Sequence, residues 1–155
     1  MIAVALDTNL LLLLVVGRVS PRLVGRHKRL QSYLPRDFEL LVESLRQADV
    51  LVTTPNTLTE VSNLAGYGVH DPLRTEIYVS LRQVVGEVTE TYQDSRVIAQ
   101  DREFTRLGLA DCAWFLVLND ETELMTDDQN LYQVALYRGH NVTNFSHLRK
   151  LYGFL

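Results

Sequence analysis

The chain opens on two apolar runs, "IAVAL" (2–6) and "LLLLLVVG" (10–17), parted by Asp7, Thr8 and Asn9. The first is short and β-rich, the pattern of a strand buried on both faces. The second is leucine-rich and follows a polar pair, which predicts a helix over 9–16 starting at Thr8 or Asn9. Residues 17–36 hold two Gly, two Pro and many bases, and read as an irregular excursion with some helix. In 37–48, apolar residues at 38, 41, 42 and 45 have helical spacing, with Asp37 as N-cap. "DVLVTT" (49–54) predicts a second strand. A helix over 55–66 starts at Pro55 or Asn56 and stops at Gly66. Another spans 71–88, with Asp71 as cap and Pro72 at its first position. Helices are also predicted over 96–108 and, strongly apolar, over 109–119. "TELMT" (122–126) is a third strand and 127–139 a helix closed by Gly139. A fourth strand over 140–145 and a short helix over 146–153 complete the pattern.

Strands alternating with helices imply an α/β fold, a parallel sheet covered by helices on both faces. In such sheets the functional site lies outside the carboxyl ends of the strands. The length of 155 residues suits one domain, 1–155, able to bury a sizeable core. The net charge of −4 makes no general case for nucleic acid, although a local basic patch can act against an acidic average. The one cysteine, Cys112, rules out an internal disulfide and a Cys-rich zinc site, and reads as a small buried apolar residue. No basic residue precedes the first apolar run and Asp7 interrupts it, so a signal peptide is not expected. The continuous part, Leu10 to Val16, is far short of the ~20 residues that span a bilayer. A cytoplasmic protein with no membrane partner is the expectation.

Asp7 ends the first strand. Glu60 lies in the helix after the second, and Asp127 and Asp128 follow the third. Asp111 sits in "GLADCAWFLVL", whose other residues suggest a buried helix. Each acid also has an ordinary role: Asp7 as a helix cap, Glu60 as a solvated helix residue, Asp111 as a cap for a helix beginning at Cys112, Asp127 or Asp128 as an N-cap. Those roles do not explain all of them falling at one edge of one sheet. A buried carboxylate needs a partner, and a hard divalent cation is one.

Four segments, "ALDTNLLL" (5–12), "TPNTLTEVSNL" (54–64), "LGLADCAWF" (107–115) and "LMTDDQNLYQVA" (124–135), carry a resemblance. In this order they resemble the PIN-domain ribonucleases, and within them the small VapC-like toxins. The stretch 17–50 has no counterpart in that pattern. The resemblance implies a three-layer α/β/α domain with a mainly parallel sheet of four or five short strands. By position, Asp7, Glu60 and Asp111 match the family's metal-site acids. The family's Thr/Ser, any residue, acid pattern selects Asp128 in "MTDDQNL", with Asp127 as an assistant or a cap. Thr8, Asn9 and Thr126 match supporting polar positions. The implied activity is Mg²⁺- or Mn²⁺-dependent endonucleolytic hydrolysis of RNA. Asp7, Asp111 and Asp128 would then be metal ligands, directly or through water, and Glu60 a ligand or an orienter of the attacking water. The implied setting is a type II toxin–antitoxin pair, with a homodimer held inactive by a cognate antitoxin.

Between Asp7 and Asp37 there is no acid, and 18–36 holds Arg18, Arg22, Arg26, Lys28, Arg29 and Arg36. This basic arm either contacts RNA phosphates or is a solvated surface. Tyr33 and Phe38 are base-stacking candidates but read more simply as packing residues. There is no P-loop, no dinucleotide fingerprint, no Gly-x-Ser-x-Gly and no zinc-spaced histidine set. "DTN" lacks the second acid of a haloacid-dehalogenase-type phosphatase. The alternatives are a PIN-like module that binds RNA or protein without cutting, and a PIN-like nuclease of RNA maturation.

Overall fold

A computed structural model describes residues 1–152. Its strands β1 (Ala3–Leu6), β2 (Val50–Thr53), β3 (Thr89–Glu90), β4 (Thr122–Thr126) and β5 (Val142–Asn144) form one sheet of order β3-β2-β1-β4-β5. Every pairing is parallel, with Ala3 opposite Val50 on one side of β1 and Thr122 on the other. Among the described residues, eight α-helices surround it: α1 (Thr8–Val19), α2 (Pro35–Ser44), α3 (Pro55–Ala65), α4 (Leu73–Glu87), α5 (Ser95–Ile98), α6 (Phe104–Val117), α7 (Gln129–Tyr137) and α8 (Phe145–Leu151). The α/β fold expected from the sequence is present, and its layering is that of a PIN-like three-layer fold. Among the described residues, no helix is long and apolar enough to cross a membrane.

The pleat of the strands divides the core. Val4, Leu6 and Met125 face one side; Ala5 and Leu124 face the other. On the first side α1 is apolar all round because it is covered all round. Leu10 through Gly17 are buried, against α2, α3 and α4 and over the sheet. Ser80 of α4 fastens this layer, donating its hydroxyl to the Val15 carbonyl at 2.6 Å. On the second side Trp114, Leu118, Leu131 and Ala135 of the α6 and α7 region pack on the sheet.

The structure corrects several sequence-based boundaries. The helix expected to start at Asp37 starts at Pro35, and Asp37 is its buried third residue, reaching back to the Leu34 N–H at 2.7 Å. Its carboxylate has a distant partner that no local pattern announces, Arg149. Helix α4 begins at Leu73 rather than Pro72, and Asp71 caps it from outside by accepting from the Thr75 N–H at 3.1 Å. The helices expected over 96–108 and 109–119 are divided differently. Asp94 caps the short α5, and α6 runs through Gly108, whose φ of 81° kinks it. The fourth expected strand is shorter, 142–144, because Asn144 already caps α8. The helix expected over 146–153 is α8; residue 153 lies outside the described residues. Strand β3 was absent from the pattern: it is two exposed residues at the sheet edge, where the helix expected to reach 88 ends at Glu87.

Candidate functional site: an acidic cleft at the switch point of the sheet

All five strands run the same way, so their carboxyl ends share one edge. The chain leaves β1 toward β2 on one side and later returns to β4 on the other. Helix α1 covers one face of the sheet and α7 the other. The crevice between β1 and β4 is therefore the topological switch point, where ligands bind in open α/β sheets.

Asp7 is the first residue past β1 and caps α1, its Oδ1 accepting from the Leu10 N–H at 3.1 Å. Its Oδ2 accepts from the hydroxyl of Thr126, the last residue of β4. That hydroxyl oxygen accepts in turn from the Asp128 N–H at 3.0 Å, and Asp128 caps α7 by accepting from the Leu131 N–H at 2.9 Å. One hydrogen-bonded chain thus joins the N-termini of α1 and α7 across the crevice. Thr8 donates its hydroxyl to Glu60 Oε2 at 2.8 Å, drawing α3 to the same edge. The Asn9 side chain hydrogen-bonds Asp127. Asp127 Oδ1 is buried and has no hydrogen-bond partner. Asp111 comes from α6, in the first turn past the Gly108 kink, and does not cap a helix at Cys112.

A cleft of ≈ 200 Å³ opens here, with Asp7, Glu60, Asp111 and Asp128 in its wall beside Thr8 and Asn9. Arg29 lines it too, and Leu64, Leu107 and Ala110 supply its apolar part. Burial, then Asp127 and to a smaller extent Asp111, push the Asp7 carboxyl up from 3.8 to about 8, against the hydrogen bonds from Thr126 and Leu10. Burial, then Asp128 and Glu60, push Asp111 up to about 7. Burial also raises Asp127, against its hydrogen bond from Asn9. Burial first, and neighbouring acids second, thus make Asp7, Asp111 and Asp127 reluctant to ionise.

A divalent cation would offset them, and the donors, all oxygens, suit a hard ion such as Mg²⁺ or Mn²⁺. The orphaned Asp127 oxygen behind the cleft is a further acceptor in want of a positive partner. Among the described residues, however, no three His, Cys, Asp or Glu side chains are drawn together closely enough to hold one ion as they stand. An ion entering this cleft would take one or two carboxylates and fill its shell with water, the habit of Mg²⁺.

The fold thus brings together Asp7, Thr8, Asn9, Glu60, Asp111 and Asp128 as the sequence predicted, with Thr126 and Asp127 directly behind them. Asp7 and Asp128 are at once helix caps and cleft residues, so capping a helix does not take either away from the cleft. No family model matches this chain, and neither does any curated protein or solved structure. The basic arm divides. Of Arg18, Arg22, Arg26, Lys28 and Arg29, only Arg29 lines the cleft. Arg18 pairs with Glu87 at 2.7 Å, Lys28 lies over the Tyr67 ring, and Arg26 lines a separate hollow with His27 and His70. Arg22 is exposed. Tyr33 is buried in the core, and Phe38 packs against it.

Thr126 offers a direct check of this network. Thr126→Val deletes the hydrogen bond that favours the charged form of Asp7, so the Asp7 carboxyl rises further. Whatever activity depends on that carboxylate is expected to fall about tenfold, the lower end for a residue that orients a ligand. Its pH–rate profile should also move to higher pH.

Proposed function

We propose that this chain is a metal-dependent endoribonuclease of the PIN-domain kind, acting as a VapC-like toxin. The observation that carries the reading is the acidic cleft at the switch point. Carboxyls from four separate elements line it, and two of them, Asp7 and Asp111, are raised by burial and by neighbouring acids. The ordered motifs at 5–12, 54–64, 107–115 and 124–135 support the family assignment, and all four reach this one edge.

In this reading Asp7, Asp111 and Asp128 hold one or more Mg²⁺ or Mn²⁺ ions, with Asp127 assisting. The ion supplies charge neutralisation at the phosphoryl oxygens and a bound water of lowered pKa. The chain does the rest. Thr126 and the Leu10 N–H fix the rotamer of Asp7, Thr8 fixes Glu60 so that it orients water, and Arg29 meets a phosphate at the rim. Arg29 is the base of the arm that carries this contact, since Arg18 is paired with Glu87 beside the amino end of β2, at the opposite edge of the sheet. The same reading makes the protein cytoplasmic and dimeric, held inactive by a cognate antitoxin. Exposed Leu116, Leu136 and Tyr137 offer apolar surface for such partners.

The looseness of the acid group as it stands favours, as a second reading, a PIN-like module that binds RNA without cutting. Incubation with a mixed single-stranded RNA pool separates the two. Cleavage in Mg²⁺ or Mn²⁺ that EDTA abolishes is expected. Binding without cleavage under either metal would transfer the assignment to the module. Cleavage confined to one precursor RNA would favour a maturation nuclease over a toxin.

A further inference from the structure

Beside the acidic cleft lies a second hollow of ≈ 360 Å³, and Glu60 and Ala110 belong to the walls of both. The two form one continuous surface. Its far side is made by the segment that leaves the edge strand β3. The Thr91 N–H donates to the Thr53 carbonyl at 2.9 Å, which anchors this segment to the end of β2, and Tyr92 and Gln93 follow at once. Tyr92 is 74% exposed, a large aromatic face held open to solvent on an anchored stretch of chain. Asn56 at the start of α3 and Leu109 of α6 line the same hollow. Among the described residues, the side-chain amides of Asn56 and Gln93 make no hydrogen bond of their own. Each amide presents a donor and an acceptor together, the pairing that matches the edge of a base.

We propose that this hollow is a nucleobase subsite, in which one unstacked base of a single-stranded RNA lies on Tyr92 and is read by Asn56 and Gln93. The proposal rests on the nuclease reading for the place of the neighbouring phosphate, at the acids. Single-stranded RNA is the ligand because only an unstacked base can offer its face to an aromatic ring and its edge to amides.

The test uses full-length Asp7→Asn protein, so that substrate survives, and short fluorescent homopolymers of A, C, G and U in Mg²⁺. Tyr92→Ala should weaken binding about tenfold, as loss of one base–aromatic stack does. Tyr92→Phe should restore it, because the ring and not the hydroxyl carries the contact. Gln93→Ala should change the order of preference among the four homopolymers, and a blunt duplex should be insensitive to all three changes. On the active protein, Tyr92→Ala should act on KM more than on kcat. If Tyr92→Ala leaves binding unchanged while Arg29→Ala weakens it, the subsite is overturned and the nucleic-acid reading stands. If none of the four homopolymers binds, the reading beneath the proposal falls with it.

Discussion

Asp7→Asn is expected to abolish cleavage and, at the same time, to make the metal-free protein more stable at pH 8. Both effects come from one carboxyl. Its pKa is about 8 in the folded chain against an ordinary 3.8. Between those values the folded chain holds a proton that the unfolded chain has released. Stability therefore falls as pH rises through this window, by up to about 1.4 kcal/mol per pH unit while the difference persists. The contribution is most favourable below the unfolded value and is spent by the time the folded group ionises. Asp111, raised to about 7, tilts the curve the same way. Asn carries no charge at any pH, yet it still accepts from the Leu10 N–H and caps α1 as well as Asp does. At pH 8 in EDTA the variant should gain about 2 kcal/mol or more, and its slope between pH 5 and 8 should flatten. Urea midpoints across that range measure it. Saturating Mg²⁺ should raise the wild type and not the variant, since a ligand that binds only the folded state stabilises it by mass action. Cleavage in the variant should fall below detection. A variant that is less stable than wild type at pH 8, or that still cuts RNA, would remove Asp7 from the centre of the site.

The second large effect lies away from the cleft. Asp37 is fully buried and Arg149 is 6% exposed. The carboxylate accepts from Arg149 Nε and Nη2, both at 2.9 Å, and from the Leu34 N–H at 2.7 Å. Nη2 also donates to the Ser32 carbonyl at 2.9 Å, and the guanidinium lies over the Tyr33 ring. Arg149→Met would leave a buried carboxylate with one N–H donor in place of three, and is expected to cost about 3–5 kcal/mol. Adding Asp37→Leu should recover much of that loss, because an apolar pair of similar size replaces a buried ion pair with little penalty. Denaturant midpoints for the two single variants and the double variant give the coupling. Near-additive losses would mean that the pair contributes nothing beyond its packing.

The elements that a local pattern can carry were legible. Strand β4 matches its expected limits, 122–126, because polar residues bound a short apolar run on both sides. The buried α1 declared itself by leucines on every face. The acids were legible because strand ends of a parallel sheet share an edge, so Asp7 and Asp128 could be placed together without knowing the pairing. What failed to show was non-local. Asp37 looks like any N-cap, since the residue that uses it is 112 positions away. The basic arm showed its charge but not its direction, and only Arg29 turns inward to the cleft. Strand β3 owes its existence to the edge of β2 rather than to its own residues, an exposed Thr-Glu pair. Tyr92 escaped notice for the same reason: its position depends on that edge.

The pairing of β1 with β4 also sets an order in time. A ribosome releases Asp7 early, but the hydroxyl that holds it, Thr126, is 119 residues downstream. Until then the central strand lacks one of its two neighbours, α7 has not been made, and Arg149 has yet to arrive to neutralise Asp37. A chain that folds from its N-terminus as it is made cannot assemble the acidic edge piecemeal. A nascent chain truncated before β4 holds the Asp7–Leu10 cap and the Thr8–Glu60 bond but lacks the Thr126 and Asp128 half of the edge. On the proposed nuclease reading, the edge that would cut RNA is therefore completed only after β4 and α7 have been made.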